Sequence, residues 1–180
     1  PNGVAIPTKD IVKKVRSEKR KAERNELKKQ LPAICFSGTF TKRLDSAIQE
    51  HSGIICLDFD GYEKKKDLLS DKKKLSDSKY SYAVFVSPSG NGLKVLVKVP
   101  ADIDNHKNFF NSLENYYENP HFDKTSKNIS RVCYESYDPL IHINESSSLW
   151  DKIDEIEYTP IHRNPDISTL AITDENKVVE

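Results

Sequence analysis

The chain has 180 residues, which is enough for one domain with a substantial hydrophobic core. Its 28 lysine and arginine residues balance 28 aspartate and glutamate residues, so the overall charge neither favours nor excludes a nucleic-acid partner. No apolar stretch approaches the roughly 20 residues of a membrane-spanning helix, and no signal-peptide pattern is present. We therefore expect a cytoplasmic protein without a membrane partner.

The three cysteines have no CxxC spacing and lie in apolar or strand-like segments. An odd number without that spacing argues against a disulfide framework. We expect free thiols in a reducing compartment, at Cys35, Cys56 and Cys133.

Charge and periodicity divide the chain into three parts. Residues 1–30 are rich in lysine and arginine and predict a basic segment of one or two surface helices, with Thr8 as the N-cap of the first. Residues 31–156 contain the apolar segments of the folded domain. Residues 157–180 lack periodicity and end in acidic residues, which predicts a tail or linker.

Predicted strands and helices alternate along the folded domain, and one hairpin stands out. Its strands at 81–87 and 93–99 flank a turn whose Asn-Gly pair favours positive φ, and the second strand alternates apolar and polar residues. The other predicted strands are at 33–37, 54–59, 130–136 and 140–143, and those at 130–136 and 140–143 form a second hairpin. A turn is predicted at 38–43, and helices at 44–50, 64–75 and 105–118, with a final helical turn at 150–156. Asp104 is the predicted N-cap of the helix at 105–118. This order predicts an α+β (mixed α/β) domain around one mostly antiparallel sheet.

Two carboxylates end the most hydrophobic strand. The stretch 52–61 holds a short, β-branched apolar run bounded by glycines, which is typical of a buried strand. Asp58 and Asp60 follow its alternation and therefore lie on one face, about 7 Å apart. Like charges this close repel each other unless a cation lies between them, and hard divalent ions such as Mg²⁺ bind carboxylates together with substrate phosphates. The pair predicts a metal site, with a solvated turn as the alternative.

Two further segments offer groups that would complete such a site. The turn at 88–92 presents Ser89 and backbone N–H groups, and Lys94 follows it, which is typical of a phosphate contact. Asp123 lies in a loop before the strand that carries Arg131. Three acids and two basic residues suit metal-assisted phosphoryl or nucleotidyl transfer, in which metal ions stabilise the attacking and leaving oxygens.

Three segments, in this order, resemble the motifs of archaeo-eukaryotic-type primase-polymerases. They are Ser-Gly-Ile-Ile-Cys-Leu-Asp-Phe-Asp at 52–60, Ser-Pro-Ser-Gly-Asn-Gly-Leu-Lys-Val-Leu-Val-Lys-Val at 87–99, and Asp123 with Ser-Arg-Val-Cys-Tyr-Glu-Ser-Tyr-Asp-Pro at 130–139. With the entry segment Leu-Pro-Ala-Ile-Cys-Phe-Ser-Gly-Thr-Phe at 31–40, they are most similar to the VirE N-terminal-like domain of Bacteroidetes plasmid, phage and mobile-element proteins. The resemblance covers about residues 30–140 and implies an RRM-like sheet with a flanking α/β unit.

The resemblance also implies roles for single residues. Asp58, Asp60 and Asp123 would hold catalytic Mg²⁺ or Mn²⁺. Lys94 stands where the family usually has a histidine that contacts the triphosphate, and Arg131 is a phosphate or template contact. The nucleotide site would further use the turn residues Ser89, Gly90, Asn91 and Gly92.

The implied activity is that of a primase-polymerase-like nucleotidyltransferase in a replication protein. Its partners would be nucleoside triphosphates, a single-stranded DNA template and a helicase domain or subunit. Lys94 can bind phosphate as a point charge but is a poor proton shuttle near neutral pH, so nucleotide binding could outlast catalysis. Asp138 follows the same strand as Arg131, and its Asp-Pro context predicts a structural turn.

Two other functions remain open from the sequence. A catalytically silent module would bind nucleotides or single-stranded nucleic acid by stacking bases on Tyr80, Tyr82 or Tyr134 if these are exposed on the sheet. A phosphatase of the haloacid dehalogenase type is suggested by Asp-Phe-Asp-Gly at 58–61, but Tyr62 stands where that family has threonine.

Overall fold

The structure, a computed structural model, describes residues 7–153. The α-helices of this part of the chain are α1 Thr8–Ser17, α2 Lys21–Lys28, α3 Lys65–Ser76 and α4 His106–Tyr117. Its strands are β1 Ala33–Ile34, β2 Gly38–Phe40, β3 Ile48–His51, β4 Ile54–Phe59, β5 Ser81–Val86, β6 Leu93–Lys98, β7 Cys133–Tyr134 and β8 His142–Ile143. The predicted tail at 157–180 lies outside the described residues.

The central sheet is antiparallel and has the strand order β4-β6-β5-β8. Both β4 and β5 run antiparallel to β6, so they are parallel to each other, and α3 connects them. The β5–β6 hairpin, which pairs Val86 with Leu93, confirms the clearest pairing predicted from the sequence. The α+β class with a mostly antiparallel sheet is likewise confirmed.

The two faces of this sheet differ. One face packs under α3 and α4 and forms the main core, which includes the fully buried Leu57, Phe59, Leu93 and Val95. Burying each such side chain stabilises the fold by about 1.5–3 kcal/mol. The opposite face carries a smaller buried cluster of Cys56, Ala83, Phe85, Leu96 and Cys133. As predicted, alternate side chains of β6 lie on opposite faces of the sheet: Leu93, Val95 and Val97 enter the main core, whereas Leu96 enters the smaller cluster.

The basic N-terminal segment forms two helices. The buried stripe of α1 packs against Leu31 and consists of Ile11, Val12 and Val15. The predicted cap is wrong, because Pro7 is the N-cap residue and the Thr8 hydroxyl instead donates to the Glu135 carboxylate at 2.9 Å. A long-range hydrogen bond thus replaces the expected local one.

The predicted turn at 38–43 and helix at 44–50 are also wrong. This part of the chain forms the antiparallel hairpin of β2 and β3, joined by a 3₁₀ turn at Asp45–Ala47. Close approach of the two backbones explains the difference. Gly38 lies so near the Glu50 carbonyl that any side chain at position 38 would collide with it, and glycine therefore allows β2 to pair with β3.

The last two predicted strands do not form a hairpin. β7 is shorter than the predicted strand at 130–136 and pairs with β1, whereas β8 is shorter than the strand at 140–143 and pairs with β5. Residues 150–153 are not helical, and the remainder of the predicted helical turn at 150–156 lies outside the described residues.

The start of α4 also differs from the prediction. Asp104 does not cap the helix; the Asp102 carboxylate accepts a hydrogen bond from the Asn105 N–H at 3.1 Å. Within residues 7–153, none of the helices has both the length and the apolar character that a membrane crossing requires.

Candidate functional site

Three carboxylates converge at the C-terminal end of β4. Asp58 is buried, with 2% of its surface exposed, whereas Asp123 is half-buried and Asp60 is exposed. One carboxylate oxygen of each lies within 4.8 Å of the other two. The structure therefore brings together the three acids that were expected to bind metal.

Backbone pairing explains why Asp123 lies beside the acids of β4. Phe122 forms an isolated antiparallel bridge with Phe59, and their rings pack edge to face with centroids 5.3 Å apart. The Asp123 N–H donates to the Asp58 carbonyl at 2.8 Å. Because side chains alternate along both segments, the phenylalanines enter the core and the two acids lie on the other side.

Two basic side chains compensate part of this negative charge. Lys94 lies opposite Asp58 in the β4–β6 register, forms an ion pair with it and has 12% of its side chain exposed. Arg131 bridges two acids, because its Nη2 lies 3.1 Å from Asp58 Oδ2 and 3.2 Å from Asp123 Oδ2. Among the described residues Asp60 has no ion-pair partner, so three carboxylates face two cations.

The surroundings shift the pKa values of two of these groups, Asp60 and Lys94. Although Asp60 is exposed as a residue, desolvation of its carboxylate beside Gly92 raises its pKa; Lys94 lowers it, and the charges of Asp58 and Asp123 raise it further, with a net upward shift. Burial lowers the pKa of Lys94, but Asp58, together with the nearby thiols of Cys56 and Cys133, raises it, and the net shift is upward. A bound divalent cation would relieve the repulsion that raises the pKa of Asp60.

The predicted phosphate-binding turn lies directly beside the acids. Gly92 packs against the Asp60 carboxylate, and a side chain at position 92 would collide with it. The positive φ expected for the Asn-Gly pair is found instead at Gly90, where φ is 79°. Arg16 of α1 lies against Gly90 and donates to the Ser87 carbonyl at 3.2 Å, so the turn is tied to the N-terminal helix.

Two residues near the acids were not predicted. The pKa of Lys28 on α2 is lowered by burial and by Arg24, and the Asp60 carboxylate offsets part of this shift. Lys28 therefore lies within electrostatic reach of the site. The His121 Nδ1 lies 3.0 Å from the Asp60 carbonyl. The helical spacing of Lys21, Arg24 and Lys28 was a signal for α2, whereas the position of His121 results from the long-range bridge and has no local signal.

The three tyrosines considered for base stacking divide between the two sheet faces. Tyr80 is buried in the main core, with its ring centroid 4.8 Å from that of Trp150, so it offers no exposed stacking surface. Tyr82 and Tyr134 are half-buried and line an apolar groove on the opposite face.

Asp138 has the structural role that its Asp-Pro context predicts. Its carboxylate pairs with Lys72 at 2.6 Å and accepts a hydrogen bond from the Val86 N–H at 2.8 Å. These contacts tie the segment after β7 to α3 and to the end of β5, away from the three acids.

One protein family matches this chain. The family model described as BT4734-like, N-terminal domain matches residues 26–142, from within α2 to the start of β8. That part contains all three acids together with Lys94 and Arg131. No curated protein and no solved structure matches the chain. Because the match spans well over half of the 180 residues, the chain belongs to the BT4734-like N-terminal domain family.

Proposed function

We propose that this domain is a metal-dependent nucleotidyltransferase of the primase-polymerase type. The observation that carries the proposal is the convergence of Asp58, Asp60 and Asp123 within 4.8 Å, next to Lys94 and a glycine-bearing turn. The segments that resemble archaeo-eukaryotic primase-polymerases, and the VirE N-terminal-like domain in particular, supply these same residues.

The donor set fits Mg²⁺ or Mn²⁺. The cluster consists of carboxylates alone, and their oxygens are the ligands that hard divalent cations prefer. Asp58, Asp60 and Asp123 would hold the metal. A bound ion would supply Lewis-acid stabilisation of the attacking and leaving oxygens in nucleotidyl transfer.

The charge balance favours an anionic substrate after a metal ion has bound. Three carboxylates and the two cations of Lys94 and Arg131 leave one net negative charge. A divalent ion reverses that sign, so the site would attract a triphosphate. Lys94 orients the Asp58 carboxylate, whereas Arg131, whose side chain is 33% exposed, can reach phosphate or template.

The triphosphate would lie between the turn at 89–92 and α2. Backbone N–H groups of a glycine-bearing turn make a concave anion site. Lys28 lies within electrostatic reach of Asp60, and Lys21 and Arg24 share its face of the helix. The basic N-terminal segment thereby acquires a role in phosphate binding.

The resemblance also suggests the biological setting. We propose that the domain belongs to a replication protein of a plasmid, phage or other mobile element. It would use nucleoside triphosphates and a single-stranded DNA template in the cytoplasm, together with a helicase domain or subunit.

A catalytically silent nucleotide-binding module is the second candidate, and the Lys94–Asp58 ion pair favours it. A lysine in place of the family's histidine is a poor proton shuttle near neutral pH. Such a module would bind nucleotide without transferring it. The experiment must therefore measure binding and synthesis on the same samples.

Template-directed primer synthesis with Mn²⁺ is the direct test. We expect product from the wild type, and a rate lower by at least about 100-fold in Asp58→Asn, Asp60→Asn and Asp123→Asn, because each variant loses a metal ligand. Asp104→Asn is the matched control, since Asp104 is an exposed acid outside the cluster and its loss should leave the rate unchanged.

Calorimetric titration with a nucleoside triphosphate, with and without Mg²⁺, separates the two candidates. Metal-dependent binding without synthesis would favour the silent module. Binding that is absent, or that is unchanged by Mg²⁺ and by Asp60→Asn, would contradict a metal-dependent nucleotide site of either kind.

A further inference from the structure

An apolar groove lies on the sheet face opposite the main core. Its volume is about 400 Å³, and its lining includes Phe36, Tyr82, Phe85, Tyr134 and Tyr137. All of these rings except that of Phe85 are only half-buried, so part of each still contacts solvent. A concave surface rich in aromatic side chains is typical of a binding site.

The groove lies next to the acidic site on the same face of the sheet. Strand pairing places Asp58, Lys94 and Phe85 in one row across β4, β6 and β5. The next row on the same face is Cys56, Leu96 and Ala83, and the last two of these line the groove. Phe85 also lines the groove, and it lies directly opposite Lys94 on the neighbouring strand. Because neighbouring strands lie about 4.8 Å apart, the backbone at the start of the groove is roughly 5 Å from that of Lys94.

Cations surround the aromatic lining. The Nζ of Lys98 lies 5.0 Å from the centre of the Tyr82 ring, and that of Lys9 lies 5.2 Å from the centre of the Tyr137 ring. The Arg16 Nη2 donates to the Tyr137 carbonyl at 3.1 Å. Positive charge around flat rings is the combination found in surfaces that bind single-stranded nucleic acid.

The acidic side chains of the lining already have partners. Glu135 accepts the Thr8 hydroxyl at 2.9 Å, and Asp138 pairs with Lys72 at 2.6 Å. Glu135 keeps its negative charge, but Lys9, Arg16 and Lys98 outnumber it, so the net charge of these groups is positive. This complements a phosphodiester chain and disfavours a basic peptide.

We propose that this groove binds the bases of a single-stranded nucleic acid and holds that strand beside the three acids. Aromatic rings stack on every base, and the cations at the rim would contact the phosphates. The role of the strand as template rests on the proposed function. The binding itself requires neither metal nor catalysis.

Fluorescence anisotropy with labelled single-stranded DNA of about 12 nucleotides, without metal or nucleotide, tests the groove. A second strand with abasic sites keeps the phosphates and removes the bases. We expect the intact strand to bind at least about tenfold more tightly than the abasic strand, because only the intact strand can stack.

Substitutions of Tyr82 test the contribution of the ring. Tyr82→Leu keeps an apolar side chain and should weaken binding of the intact strand by about tenfold, with little effect on the abasic strand. Tyr82→Phe keeps the ring and should bind like the wild type. Ile103→Ala is the control, because Ile103 is 45% exposed and lies outside the groove lining. Thermal unfolding checks that each variant is folded.

Absence of binding, equal affinity for the two strands, or wild-type affinity in Tyr82→Leu would overturn the proposal and leave the groove as a surface for another protein segment. The Asp58→Asn variant separates this result from the proposed function. If it makes no product but still prefers the intact strand, the groove proposal is supported independently of catalysis.

Discussion

Asp58 and Asp138 are both carboxylates buried beside a lysine, yet their surroundings differ. The side chains of Asp138 and Lys72 are 8% and 10% exposed. Those of Asp58 and Lys94 are 3% and 12% exposed. The two acid–lysine pairs are therefore buried to almost the same extent, and they differ in the groups around them.

The partners of Asp138 stabilise its charged form. It accepts hydrogen bonds from the N–H groups of Val86 and Leu140 at 2.8 and 3.0 Å, and Lys72 also donates to the Leu140 carbonyl at 2.6 Å. Burial alone would raise the pKa of Asp138, but Lys72 and the two N–H groups give a net lowering. This carboxylate needs no ligand.

Asp58 shares its cations with two further acids. Arg131 contacts both Asp58 and Asp123, and the exposed Asp60 has a raised pKa. The difference between the two places shows that a buried acid does not by itself mark a binding site. A group of acids with uncompensated charge is the stronger indication.

Removing the lysine of the structural pair should give the largest effect on stability. Lys72→Met leaves Asp138 buried without an ion-pair partner among the described residues and should lower the free energy of unfolding by about 3–5 kcal/mol. Lys94→Met should cost less, because Arg131 still pairs with Asp58. Urea unfolding near neutral pH measures both variants, and equal losses would contradict the comparison.

His51 and His106 form a third buried pair, and unlike the two acid–lysine pairs both groups are neutral in the folded protein near neutral pH. Their Nε2 and Nδ1 atoms lie 3.0 Å apart, and burial, together with His51, lowers the pKa of His106 from 6.5 to about 4. Between these pH values the unfolded chain binds a proton that the folded protein excludes, so stability falls as the pH falls.

We expect the free energy of unfolding to decrease by about 2 kcal/mol between about pH 7 and about pH 5 because of His106. His106→Gln removes the titrating group and should abolish most of this decrease. Urea unfolding across that pH range measures the effect. A decrease of the same size in the variant would assign the pH dependence to other groups.

The smallest effect is expected at Asp60. Without metal, Asp60→Asn should stabilise the protein by less than about 1 kcal/mol, because it removes a repelled charge that solvent already screens. With Mn²⁺ the wild type should instead be more stable than Asp60→Asn, since only the wild type keeps all three ligands and gains stability from binding. Thermal unfolding with and without Mn²⁺ measures both. A stabilisation by Mn²⁺ that is as large in the variant would place the ion elsewhere.

The parts of the fold that the sequence predicted correctly are those with a strong local pattern. β4 is an apolar run bounded by glycines, β6 alternates strictly, and α4 carries an aromatic stripe. The short strands β1, β7 and β8 differ from the prediction because each depends on a distant partner. β1 pairs with β7 about a hundred residues later in the chain, and no local periodicity contains that information.

The residues of the candidate site also divide into those with a local sequence signal and those placed by long-range packing. Alternation alone places Asp58 and Asp60 on one face of a strand. The position of Asp123 depends on the bridge between Phe59 and Phe122, so the residues alone could name it only through the resemblance to a family. The approach of Lys28 depends on how α2 packs, which a charge pattern does not determine.

The contacts of Asp138 also close one edge of the central sheet. β8 pairs with β5 only at Ala83 and Val84. Beyond β8, the Val86 N–H donates to Asp138 and the Val86 carbonyl accepts the Ser136 hydroxyl at 2.6 Å. These side chains occupy the places that another strand would use, so the edge of β5 is closed to a second chain. Loss of Asp138 would therefore expose a site for intermolecular strand pairing and aggregation.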